Sequence, residues 1–138
     1  MARSASGDDI GKLILRLGLG VMLIFHGVAK IIGGPGMIVG LVVKAGLPQP
    51  IAYLVYVGEL LAPLLVIIGL WTRPAAVVIA INMAVAVWLV HAHQLFTVDP
   101  KTGGWALELQ GFYFVTALAI ALLGAGRFSM GGAGGRWN

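Results

Sequence analysis

Side chains that can carry acid–base or hydrogen-bonding chemistry lie inside long apolar stretches of this sequence. Two of them, His26 and Glu59, are candidates for proton transfer. A charged side chain near a bilayer centre costs about 3 kcal/mol or more, so such residues face the interior of a helix bundle or reach to an interface. We therefore expect one polar site inside the bundle. The candidate ligand-binding residues are Arg16, Lys30, Tyr56, Trp88, His91, Glu108 and Phe112.

Most of these residues are expected at one depth, in the outer half of the spans. A quinone or phenolic headgroup needs hydrogen-bond donors and a proton acceptor near an interface, together with aromatic walls. His26 is the proton-transfer group of this hypothesis, because imidazole gives or takes a proton near neutral pH. Lys30 would stabilise a developing oxyanion, and Trp88 and Phe112 would pack against the ring. The alternative is that the histidines merely face water and lipid headgroups.

Arg16 and Glu59 form a second constellation. If their helices are adjacent, the two side chains lie within a turn or two of each other along the membrane normal, so we expect them to pair. In one interpretation the pair is structural, because an unpaired charge in the membrane is the costly alternative. In the other, Glu59 takes up a proton or binds a polar substrate.

Cofactor chemistry is restricted by the absence of cysteine. Disulfides, iron–sulfur ligation and covalent c-type haem attachment are excluded, and no covalent cofactor is expected. His91 and His93 point to different faces of a helix, so no metal site is expected. A haem between His26 and His91 is geometrically conceivable but not expected, which leaves quinone as the candidate cofactor.

The composition places these residues in an integral membrane protein. The chain has 138 residues, of which 59% are hydrophobic and 10% charged, whereas soluble domains carry about 25% charged residues. The net charge is +4. In a membrane protein, basic residues first indicate the orientation of the chain, so this charge gives no reason to expect a nucleic-acid partner. The length allows a single domain, 1–138.

Four apolar stretches are long enough to cross a bilayer, which takes about 20 residues. We expect an all-α, antiparallel four-helix bundle with Pro63 kinking the second span, because it leaves the Glu59 carbonyl without its usual partner. The segment 37–47 is too short to span and is predicted to be an interfacial or re-entrant helix, and the glycine-rich tail 124–138 is predicted to be flexible. The expected spans are 10–32, 51–70, 75–93 and 105–123.

One face of the first span should meet its neighbours. Helical periodicity places five residues along one strip, and its two glycines would let another helix approach closely. The strip consists of Arg16, Gly20, Leu23, Gly27 and Lys30.

The distribution of cations predicts the orientation. Arg3, Lys12, Arg16, Arg73, Arg127 and Arg136 share the side of the two termini, against Lys30, Lys44 and Lys101 on the other. Because cytoplasmic loops carry an excess of lysine and arginine, both termini are expected in the cytoplasm and the chain in the cell inner (cytoplasmic) membrane.

Several segments in this order resemble the DoxX family. They are RLGLGVMLIFHGVAK at 16–30, GLP at 46–48, Glu59, GLWTRPAA at 69–76, His91 and GAGRFS at 124–129. The resemblance runs from Leu13 to Ser129 and implies a four-helix membrane protein. It also implies association with oxidoreductases, as in a quinone-reducing thiosulfate oxidoreductase subunit and a mycobacterial complex with a superoxide dismutase and a sulfurtransferase.

Two functions remain open from the sequence. In the first, the chain is the membrane subunit of a redox system and binds quinone, quinol or a similar small aromatic molecule, while a partner subunit carries the redox cofactor. In the second, it is a non-catalytic membrane adaptor or small-molecule carrier whose intramembrane charges are structural. The lipid bilayer is its environment in both, redox protein subunits are the expected partners, and a homo-oligomer remains an open alternative.

Overall fold

The computed structural model describes residues 6–138, and these residues contain five helices. Arg3 lies outside the described residues. Three of these helices, α1, α3 and α4, are long and apolar enough to cross a membrane, whereas α5 has 16 residues. The expected all-α membrane bundle is confirmed. The helices are α1 (Gly7–Gly33), α2 (Gly36–Lys44), α3 (Gln49–Ile68), α4 (Thr72–Gln94) and α5 (Glu108–Leu123).

The ends of the helices differ from the expected ones by a few residues. Helix α1 begins three residues earlier than position 10, and α2 ends three residues before position 47. Helix α5 begins at Glu108 instead of 105, because the segment before it forms a turn in which Trp105 pairs with Val98. The Trp105 backbone N–H donates to Glu108 Oε1 at 3.0 Å, so the Glu108 carboxylate satisfies an amide just ahead of the helix.

The expected strip on α1 is confirmed as its packing face. Arg16, Gly20, Leu23 and Gly27 are all buried. A Cβ atom at Gly27 would lie 2.6 Å from the Glu59 carbonyl oxygen, and one at Gly20 would lie 3.0 Å from the carbonyl oxygen of Pro63. Glycine at these two positions therefore lets the backbones of α1 and α3 come into direct contact.

Small residues on α4 allow it to pack closely against α5. Ala75, Ala76 and Ala80 on α4 are at most 4% exposed, and Ala117 on α5 is fully buried. Larger aliphatic side chains from α1, α3, α4 and α5 fill the space between them. The core includes Leu19, Leu23, Val66, Ile79, Met83 and Ile120.

Helix α3 is irregular one turn before Pro63. Its first turn is a 3₁₀-helix, and residues Val57–Leu61 form a π-helical turn. Such single π turns are rare and often occur at functional sites. Glu59 lies inside this turn, so the irregularity that the sequence placed at Pro63 falls on the acidic residue itself.

The glycine-rich tail packs against the ends of two helices, and its predicted flexibility stays a prediction. Residues 124–138 contain no long helix, yet their backbone is held by the ends of α3 and α4. Met130 N–H donates to the Ile68 carbonyl at 3.0 Å. The Thr72 hydroxyl donates to Asn138 Oδ1 at 2.8 Å, and Asn138 is buried. Hydrogen bonds of the tail therefore reach the ends of α3 and α4.

Candidate functional site

An ion pair between Lys30 of α1 and Glu59 of α3 lies in the interior of the bundle. Lys30 Nζ donates to Glu59 Oε1, and Asn82 Nδ2 of α4 donates to the same oxygen at 3.3 Å. Glu59 is 3% exposed. Its other oxygen, Oε2, is buried and has no hydrogen-bond partner among the residues that the structure describes. Oε1 of the carboxylate therefore accepts two hydrogen bonds, whereas Oε2 accepts none from the described residues.

The local backbone explains how three helices reach this carboxylate. Gly27 brings the backbone of α1 against the π turn, and Lys30 follows Gly27 by three residues, one helical turn further along α1. Gly58 has the same effect toward α4, because a Cβ atom there would overlap the side chain of Asn82. Tyr56 fixes the end of α1 by donating its hydroxyl to the Lys30 carbonyl at 3.2 Å.

A cavity of about 420 Å³, here called the Glu59 cavity, is lined in part by this cluster. Pockets for small ligands measure roughly 300–1,000 Å³ and combine apolar walls with a few convergent polar groups. The Glu59 cavity has that character, because Lys30, Glu59 and Asn82 are its charged and amide side chains. Its aliphatic walls come from α2, α3 and α4 and include Met37, Leu41, Val42, Leu54, Val55, Ile81, Val85 and Leu89.

Arg16 does not pair with Glu59, which corrects the expectation from the sequence. Its guanidinium instead donates to backbone carbonyls on α3 and on the tail. These are Val66 and Ile67, each at 2.8 Å, and Ala125 and Phe128, each at 2.7 Å. Arg16 is 1% exposed, so this buried charge is satisfied by peptide dipoles.

His26 lies on the outside of α1. The residue is exposed, and its Nδ1 is 3.1 Å from the carbonyl of Met22. The ring meets Tyr113 of α5 edge-on, with 5.8 Å between ring centroids. His26 lines neither the Glu59 cavity nor the second cavity described below.

His91 and Trp88 belong to the far end of α4. His91 Nδ1 is 3.0 Å from Gln94 Oε1, and its Nε2 is 3.4 Å from Gln110 Nε2 on α5. Trp88 is 58% exposed. Both residues lie in the π-helical turn Val87–His91 and neither lines the Glu59 cavity.

Glu108 and Phe112 line a more open cavity of about 660 Å³ between α1 and α5, here called the α1–α5 groove. Phe112 is 73% exposed. Of the residues that the sequence grouped in one site, the structure thus brings Lys30, Glu59 and Tyr56 together and places the others elsewhere.

Sequence reasoning missed Asn82 and Gly58 as site residues. An amide in the middle of an apolar helix is a usable signal, since such side chains form hydrogen bonds between membrane helices. Gly58 carries no signal of its own, because its importance depends on which α4 residue lies opposite.

A bundle of apolar helices whose interior ion pair lines an apolar cavity defines a multi-pass helical membrane protein with a candidate ligand site. The sequence model of the DoxX family matches residues 11–92, which is more than half of the chain, and the protein belongs to that family. It is 30% identical over 117 residues to the protein of Bacillus subtilis (strain 168) named "Putative oxidoreductase CatD", a match that covers 85% of this chain and 81% of that one. No solved structure matches the chain significantly.

Proposed function

We propose that this protein is the membrane subunit of a redox system in the cell inner membrane and binds quinone or quinol in the Glu59 cavity. The observation that carries the proposal is the buried, unpartnered Oε2 of Glu59, a residue that lines an apolar cavity. A buried acceptor without a partner is costly, and a ligand hydroxyl satisfies it. Membership of an oxidoreductase-associated family and a relative named as an oxidoreductase support the redox assignment.

The cavity offers both kinds of contact that a quinone-type molecule needs. At the polar end, Glu59 accepts hydrogen bonds while Lys30 and Asn82 donate them, so hydroxyl and carbonyl oxygens of a headgroup both find partners. The aliphatic walls from α2 to α4 suit the ring and a lipophilic side chain.

Quinone reduction consumes two electrons and two protons. Residues of this chain transfer the protons. Glu59 contacts a headgroup at the polar end and supplies or accepts a proton there, so of the two proton-transfer candidates from the sequence, His26 and Glu59, it is the one that acts. The electrons come from a redox cofactor of a partner subunit, because the sequence has no cysteine and no nucleotide-binding motif of its own.

A cavity-filling pair tests where the ligand binds. Val85 lines the Glu59 cavity, whereas Val115 of α5 lines neither cavity and is 63% exposed. We expect Val85→Trp to weaken binding of a short-chain quinol to protein in lipid nanodiscs by tenfold or more, roughly 1.4 kcal/mol. Val115→Trp serves as the matched control and should change it less than twofold.

Photolabelling checks the same point without a variant. A photoreactive quinone analogue should attach to α2, α3 or α4 at cavity residues such as Leu41. Attachment confined to the α1–α5 groove, or equal effects of the two tryptophan substitutions, would contradict the proposal. His26→Ala should bind like the wild type, because that side chain lies outside the cavity.

The second candidate is a non-catalytic membrane adaptor. Arg16 favours it, since this intramembrane charge has a purely structural set of partners. The adaptor assignment requires that Lys30 and Glu59 also serve only the fold, so wild-type protein that binds neither quinone nor quinol in nanodiscs would establish it over the redox proposal.

A further inference from the structure

We infer that the Glu59 cavity selects a headgroup that carries a hydroxyl, and so binds the hydroquinone form of a quinone-type ligand in preference to the oxidised, carbonyl-only form. This inference rests on the proposed function and adds the chemical class and oxidation state of the ligand.

The distribution of hydrogen bonds around Glu59 carries the inference. Lys30 and Asn82 both donate to Oε1, while Oε2 is buried and receives nothing from the described residues. A carboxylate in an ion pair has only acceptor sites. Because Glu59 lines the cavity, a ligand there that carries a donor can satisfy Oε2.

The walls of the cavity supply no such donor. Apart from Lys30, Glu59 and Asn82, the side chains that line it are hydrocarbon or thioether groups or glycine. Because Lys30 and Asn82 both donate to Oε1, a donor to Oε2 is left to what occupies the cavity. A hydroquinone hydroxyl donates to Oε2, whereas a quinone carbonyl would place its lone pairs against a carboxylate oxygen and leave that oxygen unpaired.

The second oxygen of the headgroup has partners of the opposite kind. The Lys30 ammonium has three N–H donors and uses one on Glu59, and the Asn82 amide has two. Either group can donate to an oxygen in both oxidation states, so these contacts bind the headgroup without discriminating. Only Oε2 of Glu59 therefore distinguishes the reduced headgroup from the oxidised one.

Sites that are built to bond a hydroxyl reject analogues without it strongly, because their own buried polar group is then left unpaired. We expect a preference of about a hundredfold for the reduced form. Tighter binding of the reduced form makes the midpoint potential of the bound couple more positive, by roughly 60 mV for a hundredfold preference in a two-electron couple.

The test compares three probes on wild-type protein in lipid nanodiscs under anaerobic conditions, with empty nanodiscs as the baseline for partition into lipid. Menadiol carries two hydroxyls, menadione carries two carbonyls, and menadiol dimethyl ether keeps the reduced ring without a donor. Menadiol should bind at least tenfold more tightly than each of the others. A smaller ratio, or a preference for menadione, would overturn the inference, and this comparison needs no variant.

A pair of variants assigns the preference to one side chain. Glu59→Gln presents an amide that can donate, so the ratio of menadiol to menadione affinity should fall toward one. Glu108→Gln, an exposed acid in the α1–α5 groove, should keep the wild-type ratio. An unchanged ratio in Glu59→Gln would reject the role of Glu59.

The outcomes also separate the two proposals. Binding of menadiol and menadione with equal affinity, blocked by Val85→Trp, would leave the quinone site standing and reject the selectivity. Failure of the wild type to bind either compound above the empty nanodiscs would reject the proposed function and the inference with it.

Discussion

Arg16 shows how a bundle can bury a cation without burying an acid beside it. Val66 and Ile67 belong to the last turn of α3, where helix carbonyls have no partner within the helix. The planar guanidinium presents five donors in a fixed fork, so one side chain can satisfy these two carbonyls and two more on the tail. The side chain thereby joins α1, α3 and the segment after α5.

Substitution of Arg16 should be among the most damaging in the protein. Arg16→Gln leaves buried carbonyls unpaired, and we expect it to lower the free energy of unfolding by about 3 kcal/mol or more. Thermal unfolding in detergent measures the effect, and proteolysis within residues 124–138 should become faster. Arg136→Gln is the matched control, because Arg136 is exposed and stacks on Trp137 at 5.2 Å. Equal stability of the two variants would contradict the structural role of Arg16.

The two intramembrane cations should couple differently to Glu59. Lys30→Met strands a carboxylate that is 3% exposed, so the single change should cost about 3–5 kcal/mol. Combined with Glu59→Gln, the loss should be clearly smaller than the sum of the single losses, because the two groups are in contact. Arg16→Gln and Glu59→Gln should be additive within about 0.5 kcal/mol. Chemical denaturation of all single and double variants gives both coupling energies; strong coupling of Arg16 with Glu59 would count against the structure.

The choice between these partners could not be made from the sequence. Arg16 and Lys30 lie on the same face of α1, about 21 Å apart along its axis. Either could meet an acid on a neighbouring helix, depending on how far that helix is shifted along the first. The contact of Gly27 with the Glu59 carbonyl fixes that shift and brings Lys30 to the carboxylate.

At the scale of the helices, glycine decides where α1 and α3 touch. Gly20 and Gly27 face α3, whereas Gly18, on the same helix, would meet nothing within 4 Å if it carried a Cβ atom. The sequence predicted the buried strip correctly, because the 3.6-residue period is a local property. It did not show which helix these glycines would meet, since that depends on how the helices pack.

Gly27→Ala and Gly18→Ala form a matched pair for this contact. The new methyl at position 27 would meet backbone of α3 at 2.6 Å, so α1 and α3 must move apart and the Lys30–Glu59 pair should weaken. We expect a loss of about 1–3 kcal/mol for Gly27→Ala. Gly18→Ala should be neutral or stabilising by up to about 1 kcal/mol, since alanine favours helix. Midpoints of thermal unfolding compare the two, and a destabilised Gly18→Ala with an unaffected Gly27→Ala would contradict this packing.

The helices and their order could be predicted because the length and periodicity of an apolar segment depend only on residues that are neighbours in the sequence. The site could be predicted only in part. Glu59 and Lys30 were identified by their cost in apolar surroundings, but His26 and Phe112, of the same expected depth, turn outward. Depth along the membrane normal follows from position in a span, whereas direction around a helix axis follows from packing, which a single sequence does not give.

At the scale of the whole molecule, the two ends of the described chain meet at one end of the bundle. Asp9 Oδ1 in the first turn of α1 accepts from the Arg127 backbone N–H at 3.1 Å. The same region holds Arg73, whose guanidinium donates to the carbonyls of Ala121 and Leu122 at 2.9 and 2.8 Å. An even number of crossings, with α5 as the fourth, is required for this arrangement in a bilayer.

The topology prediction follows from that arrangement together with the asymmetry of the cations. Four crossings put both ends of the chain on the side with more arginine and lysine, which is the cytoplasm by the positive-inside rule. Because the sequence has no cysteine, each introduced cysteine is a unique probe in whole cells. Ala133→Cys should react with a membrane-impermeant maleimide only after the cells are opened, Lys101→Cys should react in intact cells, and Val115→Cys, which faces the bilayer on α5, should react only in detergent. Labelling of position 101 exclusively from the cytoplasm would reverse the orientation, and labelling of 101 and 133 from the same side would remove α5 as a crossing.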